Sequence, residues 1–377
     1  MNIVRSTRAY ERWLKTQLRG DIVKKDIKKK HKDMRGGAFP FLRATYWRWA
    51  ETILDVCPEL KTAPRVLAVG DIHLENFGTW RDVDGRLVWG VNDFDEAAKM
   101  PYALDLVRLA TSAALAVRSV TAGAITSSIL RGYREGLAAP HAFVLDQRYR
   151  ALRELFEVPE EERTKFWNDK MDPEKNLKRA HKLKRTKPPR PFAEALNKAR
   201  PEPDVDFVFW PRTAGLGSLG RPRWIGHGLW RAAPVVREAK AIVPSAWVYV
   251  HGGSRRLRCQ EIATGKYRAP DPWYELRNGH VLVRRLSPNN RKLEAKKKKE
   301  NEVEGPAEGE RVSDLVNPAM LRDMGRDLAA VHLGTGSSGK VITRDLKKRK
   351  PRWLHDATMA AAAAVRRDYQ EWCKPTE

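Results

Sequence analysis

The chain has 377 residues, 42% of them hydrophobic and 13 of them tryptophan, enough for one large or two medium domains around a substantial core. Basic side chains number 72 against 47 acidic, a net charge of +25 that points to phosphate-rich or otherwise anionic partners. No uncharged apolar run approaches the roughly 20 residues of a membrane span, the charged N-terminus lacks a signal-peptide h-region, and Cys57, Cys259 and Cys373 are too scattered for a disulfide framework or a zinc site. A cytoplasmic location is expected.

In chain order, the charge excess first gathers at 24–32, and returns at 175–191, 292–305 and 345–352. Each tract is Pro-bearing, Lys-dense or without apolar periodicity, and reads as a loop or solvated face. No aromatic platform interleaves them, which makes nucleic acid the less favoured partner. Residues 65–69 and 87–92 read as short buried strands, with an Asp-Gly turn signal in "DVDGR" between them. Residues 103–118 and 124–138 read as helices, and 205–250 as several strands with tight turns. In "NPAMLRDMGRDLAAVH" (317–332), Asn317 can cap a helix, Pro318 fits its first turn, and Leu321, Met324, Leu328 and Val331 share one face. An Ala-rich helix over 355–373 closes the chain.

Two polar clusters follow the apolar strands. "GDIHLENFG" (70–78) holds Asp71, His73, Glu75 and Asn76, and "VNDFDEA" (91–97) holds Asp93 and Asp95. An isolated Asp-x-His is most simply a turn whose side chains satisfy backbone groups. Four polar groups in six positions after a buried strand argue for a ligand instead. A metallophosphoesterase would need further His and Asn ligands downstream, and nothing like "GNHD" follows. Phosphoryl transfer needs a carboxylate to orient a hydroxyl, an amide oxygen for Mg²⁺, and a second carboxylate to bridge metal and phosphates. Asp71, Asn76 and Asp93 supply these in order, and a hairpin-sized connection can bring Asp93 back beside Asn76.

"TAGLGSLGRPRW" (213–224) contains Gly215, Gly217 and Gly220 in GxGxxG spacing, with Ser218 among them. A dinucleotide site requires a helix directly afterwards. Arg221, Pro222, Gly226 and Gly228 resist one, so a Gly-rich hairpin over phosphates fits better. Downstream, Lys240 is the candidate phosphate cation, Arg237 is its alternative because register is open, and Glu238 could pair with either. An edge-strand lysine facing water is the plainer alternative for Lys240.

Together, "PFLRATYWRW", "GDIHLENFG", "NDFDEA", "DLVRLATS", "GLGSLG", "REAKAIVPSA" and "GRDLAAVHLGT" resemble the bacterial family known as domain of unknown function 2252, regarded as a relative of the protein-kinase and aminoglycoside-phosphotransferase fold. The resemblance implies an α+β, kinase-like, two-lobed fold. A small β-rich nucleotide-binding lobe (203–300) would be inserted between the first part of a larger, mainly helical lobe (1–200) and its helical return (301–377). It further implies Asp71 as the catalytic-loop aspartate braced by His73, Asn76 and Asp93 as metal ligands reinforced by Asp95, and Asp105 as the helix aspartate that anchors the loop backbone. The nucleotide would be held by Gly215, Gly217, Ser218, Gly220 and Lys240. Val69 replaces the His often found before "GD". The catalytic loop also precedes the Gly-rich loop, the reverse of ordinary kinases, which implies a circular permutation. The activity expected is transfer of a phosphoryl group from Mg²⁺-bound ATP to the hydroxyl of a small molecule or protein. AMP transfer, nucleotide binding without chemistry, and a basic nucleic-acid-binding protein are the alternatives.

Overall fold

A computed structural model of the chain describes residues 1–293 and 315–375. The basic tract at 292–305 lies outside the described residues from 294 onward.

Helices α1 (Ile3–Gln17), α2 (Lys24–Asp33), α3 (Ala38–Ala44) and α4 (Tyr46–Val56) come first. The next strands are β1 (Arg65–Ala68), β2 (Phe77–Arg81), β3 (Leu87–Val91) and β4 (Ala98–Pro101). Helices α5 (Tyr102–Ala116) and α6 (Ala122–Ala138) follow, then β5 (Phe143–Val144), and then α7 (Arg150–Phe156), α8 (Glu160–Met171), α9 (Pro173–Leu183) and α10 (Arg190–Asn197). Strands β6 (Val208–Pro211), β7 (Arg223–Trp230) and β8 (Ala233–Ala241) lead to α11 (Ala246–His251) and α12 (Cys259–Ala263). Strands β9 (Glu275–Arg277) and β10 (Val281–Leu286) precede α13 (Pro318–Leu333), α14 (Gly339–Lys348) and α15 (Trp353–Cys373). The fold is mixed helix and sheet, and no described helix is long and apolar enough to cross a membrane.

Pairing differs from the simplest sequence expectation. The Asp-Gly turn does not join 65–69 to 87–92. It joins β3 to β2, a strand without a sequence signal of its own, while β1 pairs antiparallel with β4. The β2–β3 hairpin sets Phe77 opposite Val91, and Asn92 N donates to the Asn76 carbonyl at 2.9 Å. The two polar clusters therefore leave one hairpin end side by side. Gly78 is required there, because a Cβ would run into the Arg291 carbonyl and meet Asn92 Nδ2 at 2.6 Å. That close approach stitches the chain after β10 onto β2, with Thr79 N donating to Arg291 O at 2.8 Å.

The main core gathers the N-terminal helices, β1–β5, α5, α6, α13 and α15. Helix α13 starts as expected, with Asn317 accepting from Met320 N and Leu321, Met324, Leu328 and Val331 buried. It crosses α6 so closely that Gly132 and Gly325 face the partner helix's backbone. A five-stranded sheet, β6-β7-β8-β10-β9, forms from residues 208–286. One of its faces packs Trp224, Ala239, Ala241, Val281 and Val283 against Phe192 and Leu196 of α10.

Three expectations are corrected. The tracts at 24–32, 175–191 and 345–352 are largely solvated helix faces, not loops throughout: 24–32, 175–183 and 345–348 are helical with most lysines outward, 184–189 and 349–352 are irregular, and Asp26 and Lys30 of α2 are buried. Periodicity missed α2 because its mean composition is so polar that a two-residue buried face leaves no apolar stripe. Residues 246–251, expected as strand, form a helical turn capped by Ser245, whose side chain accepts from Trp247 N. Lys240 is not on an edge: β8 is the third of five strands, and Lys240 is 2% exposed.

Candidate active site

The loop after β1 bears Asp71, and its backbone is held from below. Asp105 of α5, fully buried, accepts from Val69 N at 2.7 Å and Gly70 N at 3.0 Å. His332 Nε2 of α13 lies 3.0 Å from the same carboxylate, and the Tyr133 hydroxyl lies 2.8 Å from His332 Nδ1. With the ring neutral, Nε2–H donates to Asp105 and Nδ1 accepts from Tyr133 O–H. Asn76 Nδ2 closes the loop on itself by donating to the Asp71 carbonyl at 2.6 Å. The last residue of the hairpin is fixed in the same manner. Asp327 accepts from Val91 N and from Arg268 Nη1, both at 2.8 Å.

Above this floor lies the Gly-rich stretch, the connection between β6 and β7. Gly215 and Gly220 adopt positive φ, 75° and 97°, which glycine tolerates without strain. Gly217 lies directly over Asp71: a Cβ there would sit 3.1 Å from Asp71 Oδ2. One cleft is therefore lined by Asp71, His73, Asn76, Asp93 and Asp95 from the floor, and by Gly215, Gly217 and Ser218 from the roof. Gly220 lies just outside, packed on Ile27 of α2. The free volume is about 50 Å³, room for a few waters and not for a nucleotide.

Lys240 bridges roof and floor. Its ammonium is 2.5 Å from Asp95 Oδ1 and 3.3 Å from Asp93 Oδ1. Register settles the choice between the two candidate cations. Arg237 points to the opposite face, where it stacks on Trp273 with its guanidinium 3.9 Å from the ring centre. Glu238 pairs with neither. It is buried among Arg212, Arg223 and Arg284, at 2.8 Å from Arg223 and 2.6 Å from Arg284. Burial raises its pKa, but the three guanidiniums prevail and hold it well below the usual carboxylate range.

The charges are tuned unequally. Asp93 is driven up by burial but held well below normal overall by Lys240, Lys292 and Arg284. Asp95 is raised by burial and by the Asp93 charge beside it. Asp71 is pushed up to about 7 by burial, against the lowering effect of Arg108, which pairs with it. His73 is buried and held well below its ordinary value by desolvation and the nearby Arg43 and Arg108, so it stays neutral.

Several residues in or beside the cleft were not singled out individually from the sequence. Arg108, fully buried on α5, stacks over Tyr46 and Trp49, at 4.9 and 5.1 Å from their ring centres. Arg43, from the stretch "PFLRATYWRW", pairs with Glu75 at 2.7 Å. Arg221 pairs with Glu96 at 2.5 Å. Lys292, the first residue of a tract read as solvated loop, lines the cleft with its ammonium 4.0 Å from Asp93. The long separations in sequence hid all four. Arg43 Nε, Arg108 Nη1 and His73 Nδ1 are buried with no hydrogen-bond partner among the described residues.

The sheet face that bears Lys240 and Glu238 continues to Ile225, Val236 and Leu286, and Phe166, Trp167 and Met171 of α8 pack there. No side chain of α8 is fully buried, so this cover rests on a small contact. Among the described residues no group of three or more His, Cys, Asp or Glu is gathered as a metal cluster. An oxygen set of Asn76 and Asp93 nevertheless fits Mg²⁺, which keeps several waters and takes one or two carboxylates plus phosphate oxygens.

Residues 22–203 match the model of a family described as an uncharacterized protein conserved in bacteria (DUF2252), which supports the resemblance drawn from the motifs. The matched segment contains Arg43, Asp71, Asn76, Asp93, Asp95 and Arg108 and stops before the Gly-rich stretch. Nothing among curated proteins or solved structures matches the chain.

Proposed function

We propose that this cleft belongs to a kinase-like phosphotransferase that uses Mg²⁺-bound ATP and phosphorylates a hydroxyl substrate. The observation that carries the reading is the convergence of Asp71, Asn76 and Asp93 with the Gly-rich connection and Lys240 on one cleft, from segments up to about 170 residues apart. The orphaned donors of Arg43 and Arg108, and the cationic excess around Asp93, suit an incoming polyphosphate.

When bound, Mg²⁺-ATP supplies the transferable phosphoryl group and a metal that neutralises its charge. Asp71 then orients the acceptor hydroxyl and takes its proton, with Arg108 fixing the carboxylate from behind. Asn76 and Asp93 would hold the metal. Lys240, engaged here by Asp93 and Asp95, would be the cation for the phosphate oxygens. Gly217 and Ser218 would cover the phosphates and exclude water. Because the cleft is shut against Asp71, the Gly-rich connection has to lift to admit a nucleotide, and α8 has to yield room along the sheet. The inverted motif order is no obstacle, since a site needs only spatial proximity.

The test is calorimetry of the full chain with ATP and Mg²⁺. Wild type should bind ATP with a Mg²⁺-dependent component that Asp93→Ala abolishes. Absence of nucleotide binding, or an Asp93→Ala variant identical to wild type, ends the proposal. Mass spectrometry of the acceptor then separates phosphoryl from AMP transfer.

A further inference from the structure

Two of the basic tracts, about 150 residues apart, meet in space. Lys25 of α2 donates to the Lys182 carbonyl at the end of α9, and Arg185 just beyond pairs at 2.6 Å with Asp21 just before α2. The outward row of α2 is Lys24, Lys25, Lys28, Lys29 and Lys32, all exposed, and α9 adds exposed Lys178 and Lys182 beside it. Acidic relief is partial: Asp33 pairs with Lys29, Glu174 lies 3.7 Å from Lys178, Asp172 3.7 Å from Lys175, Asp169 2.5 Å from Arg179 and Glu11 2.5 Å from His31, while Lys24, Lys28, Lys32 and Lys182 stay exposed. Bringing like charges together costs self-repulsion, which a bound polyanion would relieve.

The inner face of α2 is tied to the cleft. Lys30 Nζ donates to the Gly217 carbonyl at 3.0 Å, and Asp26 accepts from Thr213 Oγ1 at 2.8 Å. Val23 N donates to Gly220 O at 2.9 Å. One helix thus carries lysines outward and grips the Gly-rich connection inward.

We propose that the joint face of α2 and α9 docks the phosphate backbone of double-stranded nucleic acid, on the side of α2 away from the Gly-rich connection it grips. The chemistry selects this occupant. Protein interfaces are depleted in Lys and built on aromatic and Arg anchors, and neither helix contains Phe, Tyr or Trp. Single strands need stacking platforms, absent from these helices for the same reason. Lysine point charges without base-reading partners suit a duplex bound regardless of sequence. The exposed lysines of α2 span about 12 Å of helix axis, and a duplex carries one charge per roughly 1.7 Å, so several phosphates come within reach. This docking stands independently of the phosphotransferase reading.

Fluorescence anisotropy of the full chain with a labelled mixed-sequence duplex of about 20 base pairs tests it, in KCl from roughly 50 to 300 mM. Wild type should bind with affinity falling steeply with salt. Reversing Lys24, Lys28, Lys178 and Lys182 to Glu should weaken binding at least about tenfold and flatten the logarithmic salt slope by roughly three to four units. Circular dichroism checks that the variant is folded. Reversing Lys347, Lys348, Lys350 and Arg352, a basic tract elsewhere, should change neither quantity. The proposal is overturned if wild type fails to bind at the lowest salt, or if both sets of reversals act alike. It is also overturned if poly-glutamate of equal charge competes as well as duplex, which would mark an acidic protein partner, or if a single strand binds as tightly.

Discussion

Replacing Asp105 with Asn isolates what holds the Asp71 loop in place. The carboxylate accepts three N–H groups, from Val69, Gly70 and His332, within a fully buried site. A carboxamide has nearly the same shape but one acceptor oxygen. If that oxygen keeps the Val69 and His332 donors, its NH₂ group faces the Gly70 N–H, and two donors confront each other. One charge-assisted bond is lost at about 1.5–3 kcal/mol, and the two that remain fall to neutral strength, about 1 kcal/mol each. With about 0.5–2 kcal/mol lost at each weakened bond, the sum is about 2.5–7 kcal/mol, a large part of the roughly 5–15 kcal/mol that holds a typical domain. Tyr133→Phe removes only the outermost bond of the relay and should cost about 1 kcal/mol. Urea unfolding followed by tryptophan fluorescence measures both, as a lowered midpoint with an unchanged slope. An Asp105→Asn variant within about 1 kcal/mol of wild type, or a Tyr133→Phe variant that costs more than Asp105→Asn, would refute the relay.

Lys240→Met should destabilise the chain by about 3–5 kcal/mol near neutral pH, because it takes the nearest cation from buried Asp93 and Asp95. The depressed pKa of Asp93 means its stabilisation is present above the unfolded carboxylate value and is lost as pH falls through the folded one. The gap between wild type and Lys240→Met should therefore hold down to about pH 4 and narrow only below it, as pH falls from the unfolded carboxylate value toward the folded one, measured by urea midpoints at each pH. Gly78→Ala drives a Cβ into the Arg291 carbonyl and should cost at least about 2 kcal/mol, whereas Gly123→Ala, with open space around it, should be neutral or slightly stabilising; thermal unfolding compares them. Trp167→Ala trims the α8 contact over the sheet and should speed ATP association several-fold in stopped-flow measurements, if the nucleotide binds where proposed.

Much of the architecture was legible because hydrophobic period and capping are local. The strand at 65–68, the helices at 102–116 and 122–138, and the Asn317-capped helix follow from neighbours within a few residues of each other. The polar clusters were legible as a pair because a hairpin-length gap separates them, and Asp105 was placed under the loop by resemblance. Strand β2 was not, since "FGTWR" acquires its pairing only from the strand it meets.

By itself, the sequence marked the segments that stand out chemically: acidic groups after buried strands, a cluster of glycines in one stretch, lysines in dense runs. Only the tertiary structure decided how they meet. It turned Lys240 inward and Arg237 away, through strand register, which flips every side chain with a one-residue shift. It also set Arg43, Arg108, Arg221 and Lys292 against Glu75, Asp71, Glu96 and Asp93 respectively, and brought the end of α9 to α2. Such encounters join residues tens to hundreds of positions apart, and no local pattern encodes them, because their energy depends on burial and distance that exist only after the chain has closed on itself.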